Sequence, residues 1–263
     1  MSRPTTPTAR RPMAFDFPGV LVGCAEYDDG PTGCTVVRLP ARSLVTVDIR
    51  GGAPATVMGL DGEVNAICFA GGSLYGLEAV SGVTAAIADG VGEGRPTGLA
   101  SIPIVRGAAI YDFGARANAI APDQALGAFA LTHAIGGMIP LGPVGAGRSA
   151  TVGKLGEADP PSEPSIATRE GGGQGAAFAM VRVDPDLSIR FLACTVVNAV
   201  GGIVDRSGAV VRGHLAADGG RLRASEILRR ESGGTPPARG NTTLSLVVID
   251  RWLPDFHARQ IAR

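Results

Sequence analysis

The sequence predicts an α/β fold in which β-sheets are layered against helices. Most of its regular segments are short β-branched runs bounded by Gly or Pro, as strands usually are. Many of these runs are apolar on both faces, which suits sheets that are covered on both sides. Two longer segments carry the apolar stripe and the end signals of helices. The mixed order of elements favours layers over an all-β or a strictly alternating fold.

Strands are predicted in every part of the chain. The segments that combine β-branched residues with Gly or Pro boundaries are residues 33–39, 43–49, 64–70, 108–113, 175–183, 188–198, 202–212 and 242–249. The segment 202–212 contains the turn sequence Asp205-Arg-Ser-Gly208 and is therefore expected to fold back on itself.

Two internal helices and one terminal helix are predicted. Residues 73–88 place apolar residues along one stripe, with Ser73 as the N-cap. Residues 122–135 begin at a Pro-Asp pair and end before two glycines, and a third helix is expected after Pro254. The segments 156–174 and 231–241 combine Gly and Pro with polar residues and are predicted to be loops.

Length and charge exclude several classes of protein. The chain has 263 residues, which fits one large domain or two small ones and can bury a substantial core. Its 24 Lys and Arg balance 24 Asp and Glu, so it lacks the basic excess of proteins that bind nucleic acid or anionic membranes. It contains no run of about 20 apolar residues, and its basic N-terminal segment lacks the apolar core of a signal peptide. We expect a cytoplasmic protein with neither membrane nor nucleic acid as partner.

The cysteines support the same compartment. None of the four forms a CxxC pair, and three lie within apolar runs: Cys24, Cys34, Cys68 and Cys194. This pattern predicts buried free thiols in a reducing environment.

Lysine use is the most unusual feature of the composition. Of the 24 basic residues, 23 are Arg and one is Lys, at Lys154. An ammonium is more compact than a guanidinium, and it can lose its proton when burial removes its water. A single lysine therefore suggests a site that needs these properties, although a coding bias towards Arg would produce the same count.

Other candidate side chains are ambiguous when taken singly. Asn198 ends a predicted strand and could donate to an oxyanion, but Asn is also common in turns. Thr242 and Thr243 could simply reflect the β-propensity of threonine. The three histidines have no metal-ligand spacing, and the signatures HExxH, GxSxG and GxxxxGK[ST] do not occur. No metal and no cofactor are predicted.

A series of motifs follows one another along the chain. The motifs are FDFPG (15–19), YDDGPTG (27–33), AGGSLYGLEA (70–79), IYDF (110–113), GAGRS (145–149), GQGAAF (173–178), VDRSG (204–208) and GNTTL (240–244). Together they resemble the self-processing aminopeptidase/esterase family of N-terminal-nucleophile hydrolases, which has β-peptidyl aminopeptidases as members. Within that family the sequence is most similar to the 6-aminohexanoate-oligomer hydrolases. The resemblance extends from about residue 13 to the last residue.

The resemblance implies an N-terminal-nucleophile-like α-β-β-α sandwich. Residues 1–12 would form a flexible N-terminal arm, and residues 13–263 a single catalytic domain. Self-cleavage would divide that domain into a larger segment, residues 13–241, and the start of a smaller one, residues 242–263.

The resemblance also implies the site residues. Cleavage would fall between Asn241 and Thr242, with Thr242 as the nucleophile. Lys154 and Asn198 would surround the reacting centre, and Tyr111 would line it. Because the only lysine of the chain matches the family's catalytic lysine, the functional interpretation of Lys154 is favoured.

The activity implied is hydrolysis of a small amide or peptide substrate without a cofactor. Candidate substrates are 6-aminohexanoate oligomers and peptides with an N-terminal β-amino acid. The family also implies a homo-oligomer, a tetramer being one candidate.

The sequence departs from the family pattern at its C-terminal end. In the family, the segment after the nucleophile is a whole second chain that supplies an acidic pair in an Asp-Gly-Asp-like motif. Here 22 residues run from Thr242 to the end, and neither Asp250 nor Asp255 matches that motif, so no residue is assigned to the role. We expect that the C-terminal part is truncated, that another piece supplies it, or that the protein is a remnant.

Two alternative functions stay open: a non-catalytic scaffold that lacks its acidic site residues, and an acyltransferase of the ornithine acetyltransferase type.

Overall fold

The computed structural model describes residues 2–7, 11–57, 59, 61–90, 97–98, 101–116, 118–155, 167–230 and 240–263. The strands within these ranges are β1 (Arg11–Ala14), β2 (Leu21–Tyr27), β3 (Thr32–Val45), β4 (Thr56–Val57), β5 (Gly62–Ala70), β6 (Val105–Ala109), β7 (Ile135–Gly136), β8 (Met138–Leu141), β9 (Thr151–Val152), β10 (Ala167–Gly171), β11 (Gly173–Arg182), β12 (Ser188–Asn198), β13 (Ile203–Val204), β14 (Val210–Arg212), β15 (His214–Ala216), β16 (Arg221–Leu222) and β17 (Thr242–Ile249). The helices are α1 (Ser73–Gly76), α2 (Glu78–Asp89), α3 (Gln124–Thr132), α4 (Ala224–Arg230) and α5 (Asp255–Ala262).

Two sheets form the centre of the fold. The larger has six strands in the order β4-β6-β5-β3-β2-β7, and the smaller has three in the order β11-β12-β17. Within the larger sheet β5 and β6 are parallel, because α1 and α2 connect them, and its other pairs are antiparallel. A four-stranded sheet, β16-β15-β10-β9, and the pairs β1-β8 and β13-β14 complete the pairing of the described strands.

Strand β5 shows how the layers are held together. Its residues Ile67 and Phe69 belong to a core between the two central sheets, together with Leu192 and Val196 of β12. The alternate residues of β5 belong to a second core, beneath helices α2 and α3. Because successive side chains of a strand point to opposite faces, one apolar run contributes to both cores. The predicted layered α/β sandwich is confirmed, with one helix layer and two sheets accounting for three of its four layers.

Two glycines allow α2 and α3 to pack closely. A Cβ atom on Gly82 would lie 2.0 Å from the carbonyl oxygen of Gln124, and one on Gly127 would lie 2.1 Å from that of Ala79. Each helix thus presents backbone to the other, which any side chain at these positions would prevent.

Most of the strand predictions are confirmed. Residues 64–70, 175–183, 188–198 and 242–249 coincide closely with β5, β11, β12 and β17, and residues 202–212 form the hairpin of β13 and β14. The segments 33–39 and 43–49 are wrong as separate strands, since β3 runs through both and ends at Val45, with a register shift between Arg38 and Ser43. The prediction for residues 108–113 is also displaced, because β6 ends at Ala109.

The helix and loop predictions are confirmed in part. Helix α3 begins after Asp123, whose side chain accepts a hydrogen bond from the Leu126 backbone N–H, and α5 follows Pro254. Ser73 is not an N-cap: its φ is +54°, and Gly72 precedes the helix instead. The predicted loop 156–174 is wrong over residues 167–171, which form β10, and over residues 173–174, which begin β11. Residues 156–166 and 231–239 lie outside the described residues.

The N-terminal segment makes contacts with the domain. Thr5 exchanges two backbone hydrogen bonds with Glu26, of 3.0 and 2.9 Å, and β1 begins at Arg11. Part of the predicted arm is therefore hydrogen-bonded to the sheet region, and the boundary predicted after residue 12 falls within β1. Of the helices described, none has the length and apolar character needed to cross a membrane.

Candidate active site

Lys154 is buried at the end of a short backbone ladder. It follows β9, where the N–H groups of Gly153 and Lys154 donate to the carbonyls of Gly201 and Val200, both at 2.9 Å. The side chain is 6% exposed. Its ammonium donates to the backbone oxygen of Asn198 at 3.0 Å, to the side-chain oxygen of Asn198 at 2.8 Å and to the Gly240 carbonyl at 2.9 Å. These oxygens replace the water that a lysine loses on burial.

Asn198 is fully buried and has hydrogen bonds on both sides of its amide. Its Oδ1 accepts from Lys154 Nζ and from the Thr151 backbone N–H at 3.0 Å. Its Nδ2 donates to the carbonyl of Tyr111 at 2.6 Å and to that of Gly240 at 3.3 Å. Because one end meets only donors and the other only acceptors, the orientation of the amide is determined by its partners.

Thr242 lies at the same end of the smaller sheet as Asn198. Strands β12 and β17 are antiparallel, and their register pairs Asn198, the last residue of β12, with Thr242, the first residue of β17. Immediately before it, the side-chain oxygen of Asn241 accepts a hydrogen bond from the Val200 backbone N–H at 3.0 Å. The peptide bond between Asn241 and Thr242 is thus held between a strand and an anchored side chain.

Gly240 brings the chain against Tyr111. Its φ is +83°, in the left-handed region that favours glycine, and a Cβ on it would lie 2.4 Å from Cδ1 of the Tyr111 ring. Tyr111 therefore contributes twice to the site, since its carbonyl holds the Asn198 amide and its ring faces the Gly240 backbone.

An aromatic groove begins at Tyr111. Its ring packs edge-on against Phe113 with centroids 5.9 Å apart, and Phe113 packs in the same way against Tyr75 at 6.1 Å. These rings line an open groove of about 520 Å³, together with Arg116 and Asn118. The Arg116 guanidinium is paired with the Asp112 carboxylate at 3.0 Å and lies 4.4 Å above the Phe113 ring. The groove beside the site is therefore largely aromatic, and the charge of Arg116 is balanced within it.

The acidic residues near the C-terminus lie away from this end of the sheet. Asp250 follows the other end of β17, where it pairs with Arg190 at 3.2 Å, and Asp255 begins α5. Neither lies beside Thr242 in the register of β17. In the described ranges no three His, Cys, Asp or Glu side chains are grouped as metal ligands.

The structure gathers the residues that the sequence singled out. Lys154 and Asn198 contact each other, Asn198 contacts Tyr111, and Thr242 is the register partner of Asn198. One detail differs from expectation: the donors of Lys154 and Asn198 meet on the Gly240 carbonyl, one residue before the predicted cleavage point. Sequence reasoning gave Gly240 no role of its own, although it opens the GNTTL motif, since a glycine carries no side-chain group that points to chemistry. It also missed the Val200 backbone N–H, which has no sequence signal.

Comparison with known proteins gives two kinds of relative. The chain is 42% identical over 264 residues to the 6-aminohexanoate-oligomer endohydrolase of Paenarthrobacter ureafaciens, an alignment that covers 99% of this chain and 70% of the relative. It is 30% identical over 251 residues to an uncharacterized aminopeptidase of Mycobacterium leprae (strain TN), which covers 88% of this chain and 63% of that protein. No family model matches the chain.

Solved structures show the same architecture. A β-aminopeptidase of Burkholderia sp. superimposes with a TM-score of 0.56 at 15% identity, covering 97% of this chain and 67% of that one. The L-aminopeptidase D-Ala-esterase/amidase of Ochrobactrum anthropi, described as a variant of the N-terminal-nucleophile hydrolase fold, gives 0.55 at 14% identity, covering 94% and 65%. At such identities the likeness concerns the fold. The chain therefore has the N-terminal-nucleophile hydrolase fold and belongs to the hydrolase family that includes the 6-aminohexanoate-oligomer endohydrolases.

Proposed function

We propose that this chain is a self-cleaving amidohydrolase whose nucleophile is Thr242, freed as an N-terminal residue by cleavage after Asn241. The observation that carries the proposal is the convergence of Lys154 and Asn198 on the Gly240 carbonyl, two residues before Thr242. The register pair of Asn198 with Thr242 supports it, because it brings the threonine to the same end of the sheet.

The first step is an N-to-O acyl shift. The Thr242 hydroxyl oxygen bonds to the carbonyl carbon of Asn241, the C–N bond between the two residues breaks, and the hydroxyl proton passes to the Thr242 nitrogen. Water then hydrolyses the ester, which leaves a carboxyl group on Asn241 and restores the threonine hydroxyl. The product is a free α-amine beside the hydroxyl that it will activate.

The second step is attack on an external amide. A threonine hydroxyl is a weak nucleophile at neutral pH and needs a base nearby. The new α-amine, whose ordinary pKa is about 7.7–8.0, accepts the hydroxyl proton. A neighbouring positive charge favours the neutral form of that amine, and Lys154 is the candidate to supply it. The proton then goes to the leaving amine of the substrate, and water hydrolyses the acyl-threonine ester.

Asn198 is proposed to stabilise the tetrahedral oxyanion. Its Nδ2 donates to the Gly240 carbonyl in the uncleaved chain, so that carbonyl has to withdraw before the amide can serve a substrate. A donor of this kind contributes about 3 kcal/mol to the stability of the transition state. Tyr111 holds the same amide through its carbonyl and would line the substrate site with its ring.

The proposed substrates are short linear amides. The relative from Paenarthrobacter is named for 6-aminohexanoate oligomers, and we extend that class to this chain, with peptides bearing an N-terminal β-amino acid as the second class to test. We also propose that the protein acts as a homo-oligomer.

Mass spectrometry of the purified protein tests self-cleavage. We expect the 263-residue chain to separate into residues 1–241 and 242–263. Thr242→Ala should remain intact, whereas Thr243→Ala should cleave, because Thr243 points to the opposite, exposed face of β17. A wild-type chain that stays intact, or a Thr242→Ala chain that is cut at the same bond, contradicts the proposal.

Turnover tests the second step. Purified protein should release 6-aminohexanoate from a linear oligomer, or p-nitroaniline from a β-amino acid p-nitroanilide, and Thr242→Ala should abolish both reactions. A cleaved protein that hydrolyses neither compound would overturn the amidase assignment while leaving the self-cleavage intact.

A further inference from the structure

Gly240 is confined more tightly than an ordinary turn glycine. Its φ of +83° disfavours any L side chain, and the nearest atoms to an added Cβ are three carbons of the Tyr111 ring at 2.4, 3.1 and 3.2 Å. The same ring packs edge-on against Phe113, with centroids 5.9 Å apart. A glycine here lets the backbone lie directly on the tyrosine.

The position of Gly240 determines where its carbonyl points. That oxygen accepts from Lys154 Nζ at 2.9 Å and from Asn198 Nδ2 at 3.3 Å. The next residue is also anchored, since the side-chain oxygen of Asn241 accepts a hydrogen bond from the Val200 N–H at 3.0 Å. Asn241, whose carbonyl belongs to the bond to be cut, is therefore held through the preceding peptide and through its own side chain.

We propose that Gly240 is a positioning residue for self-cleavage, an inference that rests on the proposed function. Contact with the Tyr111 ring places the Gly240 carbonyl within hydrogen-bond distance of Lys154 and Asn198. These bonds orient the Gly240–Asn241 peptide and, through it, the Asn241 carbonyl that Thr242 attacks. A side chain at position 240 would lift this carbonyl from the donors without touching the nucleophile. The bonds made and broken in the cleavage are those of the acyl shift described above.

Gly240→Ala tests the inference, with Gly219→Ala as its matched control. Gly219 has the same φ of +83°, but no heavy atom lies within 4 Å of a Cβ added there. Both variants therefore place a Cβ at the same left-handed φ, and only the first meets Tyr111. We expect Gly240→Ala to slow cleavage between residues 241 and 242 at least tenfold, and Gly219→Ala to stay within twofold of the wild type, in time courses followed by mass spectrometry.

A double-variant cycle separates positioning from general destabilisation. In a Tyr111→Ala background the clashing ring is gone. The factor by which Gly240→Ala slows cleavage should therefore be at least five times smaller in this background than in the wild type. This comparison also holds if Gly240→Ala alone folds poorly, because the double variant removes the cause. Equal effects in both backgrounds, or wild-type cleavage by Gly240→Ala, overturn the inference while the proposed function stands. A wild-type chain that never cleaves overturns both.

Discussion

The ammonium of Lys154 lies 2.8 Å from the side-chain oxygen of Asn198, although the two residues are 44 positions apart in the chain. Lys154 is the only lysine of the protein, and Asn198 is fully buried at the end of β12. Each orients the other: the amide oxygen faces the ammonium, and this turns the amide N–H groups towards Tyr111 and Gly240. A change to either residue should therefore affect the whole cluster.

Lys154→Arg should slow self-cleavage at least 100-fold even though it keeps the positive charge. A planar guanidinium is larger than an ammonium and cannot direct its donors from one nitrogen to the three oxygens around Nζ. The time course of fragment formation measures the effect. Arg38→Lys, the reverse exchange at an exposed position, should leave the rate unchanged. Cleavage of Lys154→Arg at the wild-type rate would show that the ammonium has no part in the chemistry.

Asn198→Asp should lower both stability and the rate of cleavage. Aspartate keeps the acceptor for Lys154 and Thr151 but replaces the donor 2.6 Å from the Tyr111 carbonyl with a second oxygen. We expect a loss of about 1–3 kcal/mol in the free energy of unfolding, measured with urea, because a buried acceptor is left without its donor.

Asn65→Asp provides the comparison for that measurement. The Asn65 side-chain oxygen accepts from the Ile104 backbone N–H at 2.7 Å, and aspartate can accept the same bond. Its unfolding free energy should therefore change less than that of Asn198→Asp. An equal loss for the two variants would argue against a special role for the Asn198 donor.

Asp112→Ala should destabilise the fold strongly. Asp112 and Arg116 form an ion pair at 3.0 Å with both side chains 1% exposed, and Asp112 also accepts from the Gly72 N–H at 2.9 Å. Removing one partner leaves a buried charge uncompensated, which typically costs about 3–5 kcal/mol.

The exposed pair of Asp48 and Arg50 is the control for this loss. Their side chains are 29% and 68% exposed, so Asp48→Ala should change the unfolding free energy by about 1 kcal/mol or less. Urea denaturation of the two variants side by side gives the comparison. Similar losses at both positions would mean that the Asp112 pair is no more important than a surface contact.

The cysteines should be inert in the folded protein. Burial raises the pKa of Cys24 to about 11 and that of Cys194 to about 12. A pKa above the pH keeps a thiol protonated, and the thiolate is the reactive form, so labelling with a thiol reagent at pH 8 should be negligible. Four thiols should react after denaturation, since all four cysteines are free and buried. A thiol that reacts in the native protein as fast as free cysteine would contradict this burial.

The contrast between β12 and Ser73 shows what could be predicted from sequence. Residues 188–198 were predicted as a strand with the bounds that the structure gives, because β-branched residues and turn signals define such a segment locally. Ser73 has the residue type of an N-cap but the left-handed φ of +54°, and its N–H donates to the Ile110 carbonyl from a neighbouring segment. A tertiary hydrogen bond of this kind leaves no mark on the local sequence.

The same distinction applies to the site. Lys154 stands out by composition, Asn198 by its place at the end of a predicted strand and Thr242 by the GNTTL motif, so their side chains could be named in advance. The choice of the Gly240 carbonyl as the shared acceptor could not, since it depends on how residues 153–154, 198–201 and 240–242 meet in space. A backbone N–H such as that of Val200 is present in every residue type except proline, so its role becomes recognisable only once the chain is folded.

The ladder between β12 and β17 has a consequence for the segment that follows the proposed cleavage point. All eight residues of β17 are in register with β12, from Thr242 opposite Asn198 to Ile249 opposite Phe191. A newly made chain end is usually disordered, and a disordered Thr242 would not hold its hydroxyl oxygen in the orientation needed for attack. Here the new end would be the first residue of a strand whose eight residues all pair with β12, so most of its conformational entropy is already lost during folding. The severed piece would stay attached without a covalent link, and the nucleophile would need no second ordering event before it met a substrate.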